Sequence, residues 1–178
     1  LKILAPVYNP IEFDGRVQRA SQALSAIGEV VVLSIASGAD YVVEHFVNIR
    51  VPLPLRPTSP LAHLWFWLRL WRTALAIRPR VVHAHDFFMA FPGWVAAKLT
   101  GAQLVYDAHE LIIPESGVPM SWRDRFWYIL ERWTGKRANL IIAANSQRAQ
   151  LMKEHYRLPA VPVVIRNIPP APLPSSAP

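Results

Sequence analysis

The chain contains no cysteine, which excludes disulfide bonds and thiolate metal sites and fits a reducing compartment. Charged residues make up only 17% of the sequence and apolar residues 52%, so an intrinsically disordered chain is excluded. Neither a GxGxxG fingerprint nor a GxxxxGK[ST] phosphate loop is present. The N-terminal apolar segment is interrupted early by Pro6 and Pro10, which predicts a strand rather than a signal peptide.

The length of 178 residues is enough for one domain with its own core. The net charge of +7 and the pI near 10.2 favour an anionic partner, such as nucleic acid, anionic lipid or a phosphorylated ligand. Charge alone does not choose among these partners. Much of the excess lies in arginines beside tryptophans in two predicted helices.

Short apolar segments alternate with segments of helical periodicity along most of the chain. This pattern predicts an α/β fold, a single Rossmann-like domain over residues 1–167 with a mostly parallel sheet of about seven strands and helices on both faces. The proline-rich residues 168–178 predict a linker or tail. Strands are predicted at 2–7, 29–35, 46–51, 80–85, 103–108, 139–144 and 161–165, and helices at 14–27, 59–78, 89–99, 121–134 and 146–156.

Two predicted neighbouring strands each end in a histidine next to an acid, His85-Asp86 and His109-Glu110. Because the carboxyl ends of parallel strands meet at one edge, where open α/β sheets bind ligands, we expect both pairs at one site. His83 and His85 alternate along a strand and should share a face, and with His109 they form a conceivable zinc ligand set. Since no dedicated further ligands follow at a short spacing, we expect no metal and interpret His83 as a core residue.

The loop after the first strand carries Asp14, Gly15 and Arg16. Asp14 is a good helix N-cap, and Gly15 allows the backbone to approach a ligand closely. Free N–H groups at the start of this helix favour an anion, so we expect these residues to bind substrate. The alternative is a capped helix with a surface arginine.

Polar residues also follow the last two predicted strands. Asn145 and Ser146 follow one strand and Asn167 ends the next, so all three are predicted to bind substrate at the same edge. For Asn145 the alternative is simple capping of the following helix.

The predicted helix 59–78 is apolar on two sides and has arginines in its middle, so it is too interrupted to span a bilayer. The face with Leu61, Leu64, Leu68, Trp71 and Leu75 is predicted to pack on the sheet. On the other sides we expect a peripheral membrane contact through Trp65, Phe66, Arg69 and Arg72. Core aromatics with solvated arginines are the alternative. Nucleic-acid binding is disfavoured, since the tryptophans have helical core spacing.

Several segments, taken in order and spacing, are similar to one enzyme family: FDGRV after the first strand, then PRVVHAHD, YDAHEL, NLIIAANS and VVIRNIP. Together they resemble the N-terminal domain of GT-B glycosyltransferases of the GT4-like kind. The resemblance covers nearly the whole chain. Asp14-Gly15 stands where many relatives have two glycines.

The resemblance implies two Rossmann-like domains across a cleft, an N-terminal one that binds the acceptor and a C-terminal one that binds a nucleotide-sugar donor. It implies sugar transfer with retention and without metal, with His109 near the donor sugar and the loop around Gly15 near the donor phosphates. No pair of glutamates has the family's E-x7-E spacing, so this chain is expected to lack the donor domain and to be inactive alone.

The first functional hypothesis is therefore the acceptor-binding half of a retaining glycosyltransferase of hexosyltransferase type. Its acceptor is a glycan, a lipid-linked sugar or a small molecule, and its partner is a C-terminal donor domain of the same polypeptide. The alternatives are another GT-B enzyme, such as a sugar-nucleotide epimerase, and a stand-alone binding domain. The expected location is the cytoplasm, at the inner face of the membrane.

Overall fold

The computed structural model describes residues 1–38, 44–114 and 118–168. Within them, seven strands form one parallel sheet in the order β3-β2-β1-β4-β5-β6-β7, which confirms the predicted fold class. Most of the predicted proline-rich tail lies outside the described residues. The strands are Lys2–Pro6 (β1), Glu29–Ile35 (β2), Val47–Val51 (β3), Val81–His85 (β4), Gln103–Ala108 (β5), Leu140–Ala143 (β6) and Val163–Val164 (β7).

Helices connect the strands and are capped by the residue types that the sequence suggested. Asp14, Ser121 and Asn145 each accept a backbone N–H at a helix start, and Gly101 ends a helix in the left-handed conformation, where glycine carries no Cβ penalty. A short 3-10 turn at Ile11–Phe13 precedes the first helix. The helices are Gly15–Ser25 (α1), Pro60–Ile77 (α2), Phe87–Thr100 (α3), Trp122–Gly135 (α4) and Ser146–Tyr156 (α5).

The sheet is covered on both faces, because alternate strand residues point to opposite sides. Helix α1 packs on one face through Val17, against a cluster that includes Ile3 and Val32. Helices α2 and α3 pack on the other face, against a cluster that includes Leu4 and Leu104. Gly93 of α3 lies so close to β4 that an added Cβ would be 2.7 Å from the Cβ of Ala84, so α3 is held tightly against the site-bearing strand.

The orientation of α2 corrects the sequence prediction. The buried residues of α2 are Ala62, Phe66, Leu70 and Ala74. Of the predicted sheet-facing residues, Trp71 packs against the core, whereas Leu61, Leu64, Leu68 and Leu75 are exposed. Phe66 is fully buried and packs edge-on against Tyr8, so its predicted membrane-surface role is wrong. The two alanines on this i, i+4 stripe let α2 approach the sheet closely, which a face of four leucines would prevent.

The other three residues predicted to contact a membrane are exposed. Trp65 is 41% exposed and donates its indole N–H to the Pro52 carbonyl, while Arg69 and Arg72 are exposed. Among the described residues, no helix has both the length and the hydropathy needed to cross a bilayer.

Strand order reverses between β1 and β4, since the chain adds β2 and β3 on one side and β5 to β7 on the other. Open parallel sheets bind ligands at the carboxyl ends of the strands beside such a reversal. Asp86, which follows β4 at this point, has φ 66° and ψ 164°, a conformation that costs a residue with a Cβ about 1–3 kcal/mol. The fold therefore positions a strained polar residue where a ligand is expected.

Candidate functional site

A buried ion pair lies at the centre of this edge. The Asp107 carboxylate, near the end of β5, accepts two hydrogen bonds from the Arg16 guanidinium of α1, one of them from Nε to Oδ2 at 3.1 Å. Both side chains are at least nine-tenths buried. Burial alone would raise the pKa of Asp107, but hydrogen bonds from His109, His85 and Arg16 outweigh it and hold that pKa well below its ordinary value. Asp107 is therefore ionised at neutral pH.

Three histidines surround the Asp107 carboxylate. Their ring nitrogens lie 3.5 Å (His85 Nδ1), 3.6 Å (His109 Nε2) and 4.0 Å (His83 Nε2) from its Oδ2 atom. His85 Nδ1 and His109 Nε2 are 3.2 Å apart, within hydrogen-bond distance. The rings of His83 and His85 are 4.3 Å apart, so these two residues share a face as predicted.

Burial keeps two of these histidines neutral. It lowers the pKa of His83 to about 3, with the neighbouring His85 adding to the effect. It also lowers the pKa of the fully buried His85, whose ring contacts that of His109 in a T-shaped arrangement. His85 is therefore a support for the His109 ring and does not face a ligand.

His83, His85 and Asp107 form a group in which a metal ion is geometrically possible. Arg16, however, occupies both carboxylate oxygens of Asp107, and its positive charge would repel a cation placed beside them. These residues fit an ion-pair network better than a metal centre, and the expectation of no metal stays a prediction.

An open cavity of about 400 Å³ lies above this network, between the start of α1 and the end of β5. It brings together six of the residues that the sequence singled out. Three arginines and two acids, Asp14 and Glu110, line it, and Arg19 and Arg148 supply cations suited to an anionic group. The lining residues are Phe13, Asp14, Gly15, Arg16, Arg19, His109, Glu110, Ala144, Arg148 and Asn167.

Three other predicted site residues lie at the same edge but do not line this cavity. Asn145 caps α5 by accepting the backbone N–H of Arg148 at 2.8 Å, and exposed Ser146 begins that helix. Asp86 accepts the Phe87 N–H at 2.8 Å, and its own N–H donates to the Asp107 carbonyl. Burial raises the pKa of Asp86. These contacts support structural roles for Asn145 and Asp86.

Sequence reasoning missed Arg19, Arg148 and Asp107 as site residues. Arg148 donates to the carbonyl of His109, and Arg19 donates to the Asn167 side chain. Within the described residues neither arginine has an ion-pair partner, so both charges remain available to a ligand. The signal for Asp107 was present, since a lone acid within a buried strand requires a cationic partner.

A second cavity of about 520 Å³, here called the aromatic cavity, lies at the same edge on the other face of the sheet. It is bounded by the first half of α2, the starts of α3 and α4, and the segment after His109. Its lining residues are Thr58, Pro60, His63, Leu64, Trp67, Phe87, Phe88, Ile112, Trp122, Arg123, Asp124, Phe126 and Trp127.

The family of the chain follows from comparison with known sequences. The family model described as the glycosyl transferase 4-like domain matches residues 16–168, which include His109 and most of the residues that line the cavity beside it. The chain belongs to this family. No curated protein sequence matches it.

Solved structures of similar fold share little sequence with the chain. Sucrose-phosphate synthase from Thermosynechococcus elongatus has a TM-score of 0.71 at 16% identity, covering 93% of this chain and 47% of its own. HepE from Anabaena, solved with UDP and glucose, has a TM-score of 0.67 at 21% identity, covering 94% and 44%. UDP-N-acetylglucosamine 2-epimerase from Rickettsia bellii has a TM-score of 0.64 at 10% identity, covering 92% and 44%.

The chain thus has the fold of one half of a GT-B glycosyltransferase and spans under half the length of these three proteins. The recognised resemblance to a GT4-like N-terminal domain is confirmed.

Proposed function

We propose that this chain is the acceptor-binding half of a retaining glycosyltransferase, which transfers a hexose from a nucleotide-sugar donor to an acceptor hydroxyl. In this reaction the bond between the anomeric carbon and the phosphate oxygen of the donor breaks, a bond to the acceptor oxygen forms, and the hydroxyl proton passes to the departing phosphate. The single observation that carries the proposal is the arginine-lined cavity between His109 and the start of α1.

The charges of this cavity suit a leaving diphosphate. Arg19 and Arg148 lack ion-pair partners among the described residues, and the free N–H groups at the start of α1 add positive potential. Fixed positive groups stabilise the negative charge that develops on the departing phosphate, which is the larger part of catalysis in such transfers.

His109 is the proposed catalytic residue. Its ring lies within hydrogen-bond distance of His85, its carbonyl accepts from Arg148, and it lines the cavity. We assign it contact with the donor sugar near the anomeric carbon, and we assign substrate contacts to Asp14, Gly15, Arg16, Glu110 and Asn167 around it. The donor itself requires a second domain, which we place in the same polypeptide.

The test is a transfer assay with the full polypeptide that carries this chain and a panel of nucleotide sugars. We expect transfer by the full polypeptide and none by the 178-residue chain alone. His109→Ala should lower kcat by at least about 100-fold, because both hydrogen bonding and charge stabilisation at the reacting sugar are lost.

His45→Ala is the matched control, since His45 is exposed and lies outside both cavities. Its activity should equal that of the unmodified protein. Near-normal turnover in His109→Ala would remove His109 from the mechanism, and transfer by the 178-residue chain alone would overturn the need for a donor domain.

A sugar-nucleotide epimerase is the second candidate, favoured by the structural similarity to the Rickettsia bellii epimerase. Product analysis separates the two functions: an epimerase converts the nucleotide sugar without any acceptor, whereas the transferase releases the nucleotide only when an acceptor is present.

The protein is further proposed to work in the cytoplasm, at the inner face of the membrane. Trp65, Arg69 and Arg72 lie on the outer side of α2, where a peripheral membrane contact requires them.

A further inference from the structure

We infer that the aromatic cavity holds the hydrocarbon part of a lipid-linked acceptor. This inference rests on the proposed function and names the class of its acceptor. The cavity volume of about 520 Å³ is within the range of sites that bury an organic ligand. Aromatic rings form most of its wall, so its preferred occupant is apolar.

The wall is a connected set of rings from three helices. The ring centroid of Trp127 of α4 lies 4.9 Å from that of Phe88 and 5.8 Å from that of Phe87, both at the start of α3. His63 of α2 lies 5.5 Å from Trp127. Burial lowers the pKa of His63, so this ring also favours its neutral form. An apolar chain between these elements would contact aromatic rings from all three helices.

Charged groups are confined to one part of the lining. Asp124 is held by the Ser121 hydroxyl at 2.6 Å, at the start of α4. Arg123 lies over the Trp122 ring, at 5.4 Å from its centroid. Most of the lining residues are apolar or aromatic, so the wall favours an apolar occupant over a charged or strongly hydrated one.

The position of the aromatic cavity links it to the reaction centre. Phe87 directly follows Asp86 at the end of β4, and Ile112 follows the segment that carries His109. The two cavities therefore flank the same strand ends from opposite faces of the sheet. We therefore place the polar end of an acceptor held in the aromatic cavity on the His109 side of these strand ends.

A lipid is favoured over a small apolar molecule by the surface at the mouth. Leu64 lines the cavity and is 46% exposed, and it continues into an apolar stripe on α2 with Trp65 and Leu68. Helix α2 contains no acidic residue and carries exposed Arg69 and Arg72. Apolar surface beside cations fits an anionic bilayer, from which a lipid chain would enter the cavity.

The test measures binding of methyl, hexyl and octyl β-D-glucoside to the 178-residue chain by calorimetry, below their micelle concentrations. Affinity should rise about three- to fourfold for each added methylene, as expected for hydrocarbon transferred into an apolar site. Affinity that does not depend on alkyl length would overturn the inference.

Leu64→Gln and Leu68→Gln form a matched pair on one helix, with exposures of 46% and 45%, and only Leu64 lines the cavity. Leu64→Gln should weaken octyl glucoside at least fivefold and Leu68→Gln should not. Equal weakening by both would mean that the alkyl chain adsorbs to the surface of α2, which contradicts the inference.

Trp127→Ala enlarges the cavity and removes the central ring of its wall; it should also abolish the dependence on alkyl length. Circular dichroism and thermal unfolding establish that each variant is folded before binding is compared. Because the readout is binding, alkyl-dependent affinity without sugar transfer by the full polypeptide would overturn the proposed function alone.

Discussion

At the scale of single residues, the site depends on the buried Asp107 anion and on the side chains that contact it. Asp107 is 3% exposed and would be costly to bury without the Arg16 guanidinium, which satisfies both carboxylate oxygens. The same pairing fixes the start of α1 against β5. The backbone N–H groups at the start of α1 are thereby held in place beside the cavity. The ion pair that stabilises the fold therefore also orients the binding surface.

Removal of Arg16 tests this coupling. Arg16→Met should lower the free energy of unfolding by about 3–5 kcal/mol, because it leaves Asp107 as an uncompensated buried charge. Arg16→Lys should recover only part of this loss, since an ammonium group cannot donate in the bidentate manner of a guanidinium. Urea denaturation of the variants measures both effects.

The double variant Arg16→Met/Asp107→Leu is the control for the pair. It should be more stable than Arg16→Met alone, because no unpaired charge remains buried. Additive losses from the two substitutions would show that the ion pair contributes nothing beyond its separate side chains.

Much of this site could be predicted at the residue scale, but the pairing could not. The strand-end rule located His109, Glu110 and the Asp14-Gly15 loop at one cavity. The sequence predicts that Arg16 binds substrate or lies at the surface; in the structure its guanidinium binds Asp107 while Arg16 also lines the cavity. That contact joins residues 91 positions apart, and no local pattern encodes which strand a helix start will face.

At the scale of elements, local sequence patterns predicted the boundaries of several strands and helices, but they did not predict which face of α2 is buried. The predicted strands 29–35 and 103–108 and helix 146–156 match β2, β5 and α5, because caps and β-branched segments act locally. For α2 the face was wrong. When a helix is apolar on several sides, its sequence pattern only weakly indicates which face is buried. In α2 the face with Ala62 and Ala74 is buried, because it packs more closely on the sheet than the leucine face would.

Because the leucine face of α2 is exposed, the predicted membrane contact of this helix can be tested directly. Substitution of Arg69 and Arg72 by glutamate should abolish sedimentation with vesicles that contain 30% phosphatidylserine, because the two exposed cations attract anionic lipid. Binding of the unmodified chain should weaken as salt rises from about 0.05 to 0.5 M.

Lys2→Glu/Arg80→Glu is the matched control, since it makes the same change in net charge at the amino edge of the sheet, where β1 and β4 begin. It should leave vesicle binding largely unchanged. If both double variants lose binding equally, the attraction is a property of net charge and not of α2.

At the scale of the whole molecule, a second buried acid ties three elements together behind the aromatic cavity. The Glu131 carboxyl of α4 is hydrogen-bonded to the hydroxyl groups of Tyr106 of β5 at 2.5 Å and Tyr156 of α5 at 2.6 Å. The Tyr156 hydroxyl also lies 3.1 Å from the carbonyl of Ile112, which lines the cavity. This network therefore holds the segment after His109 against the core.

Burial raises the pKa of Glu131 to about 8, despite the tyrosine hydroxyls, and lowers that of His83 to about 3. Between pH 4.5 and 8 the folded chain keeps the Glu131 proton that the unfolded chain has lost, so stability falls as pH rises. Below pH 6.5 the unfolded chain binds protons at His83 and His85 that these buried side chains do not bind in the folded chain, so stability falls as pH falls. Thermal unfolding should therefore show maximal stability near pH 6.5. Glu131→Gln removes the first slope and should move the maximum above pH 7, and an unmoved maximum would mean that Glu131 is ionised in the folded chain.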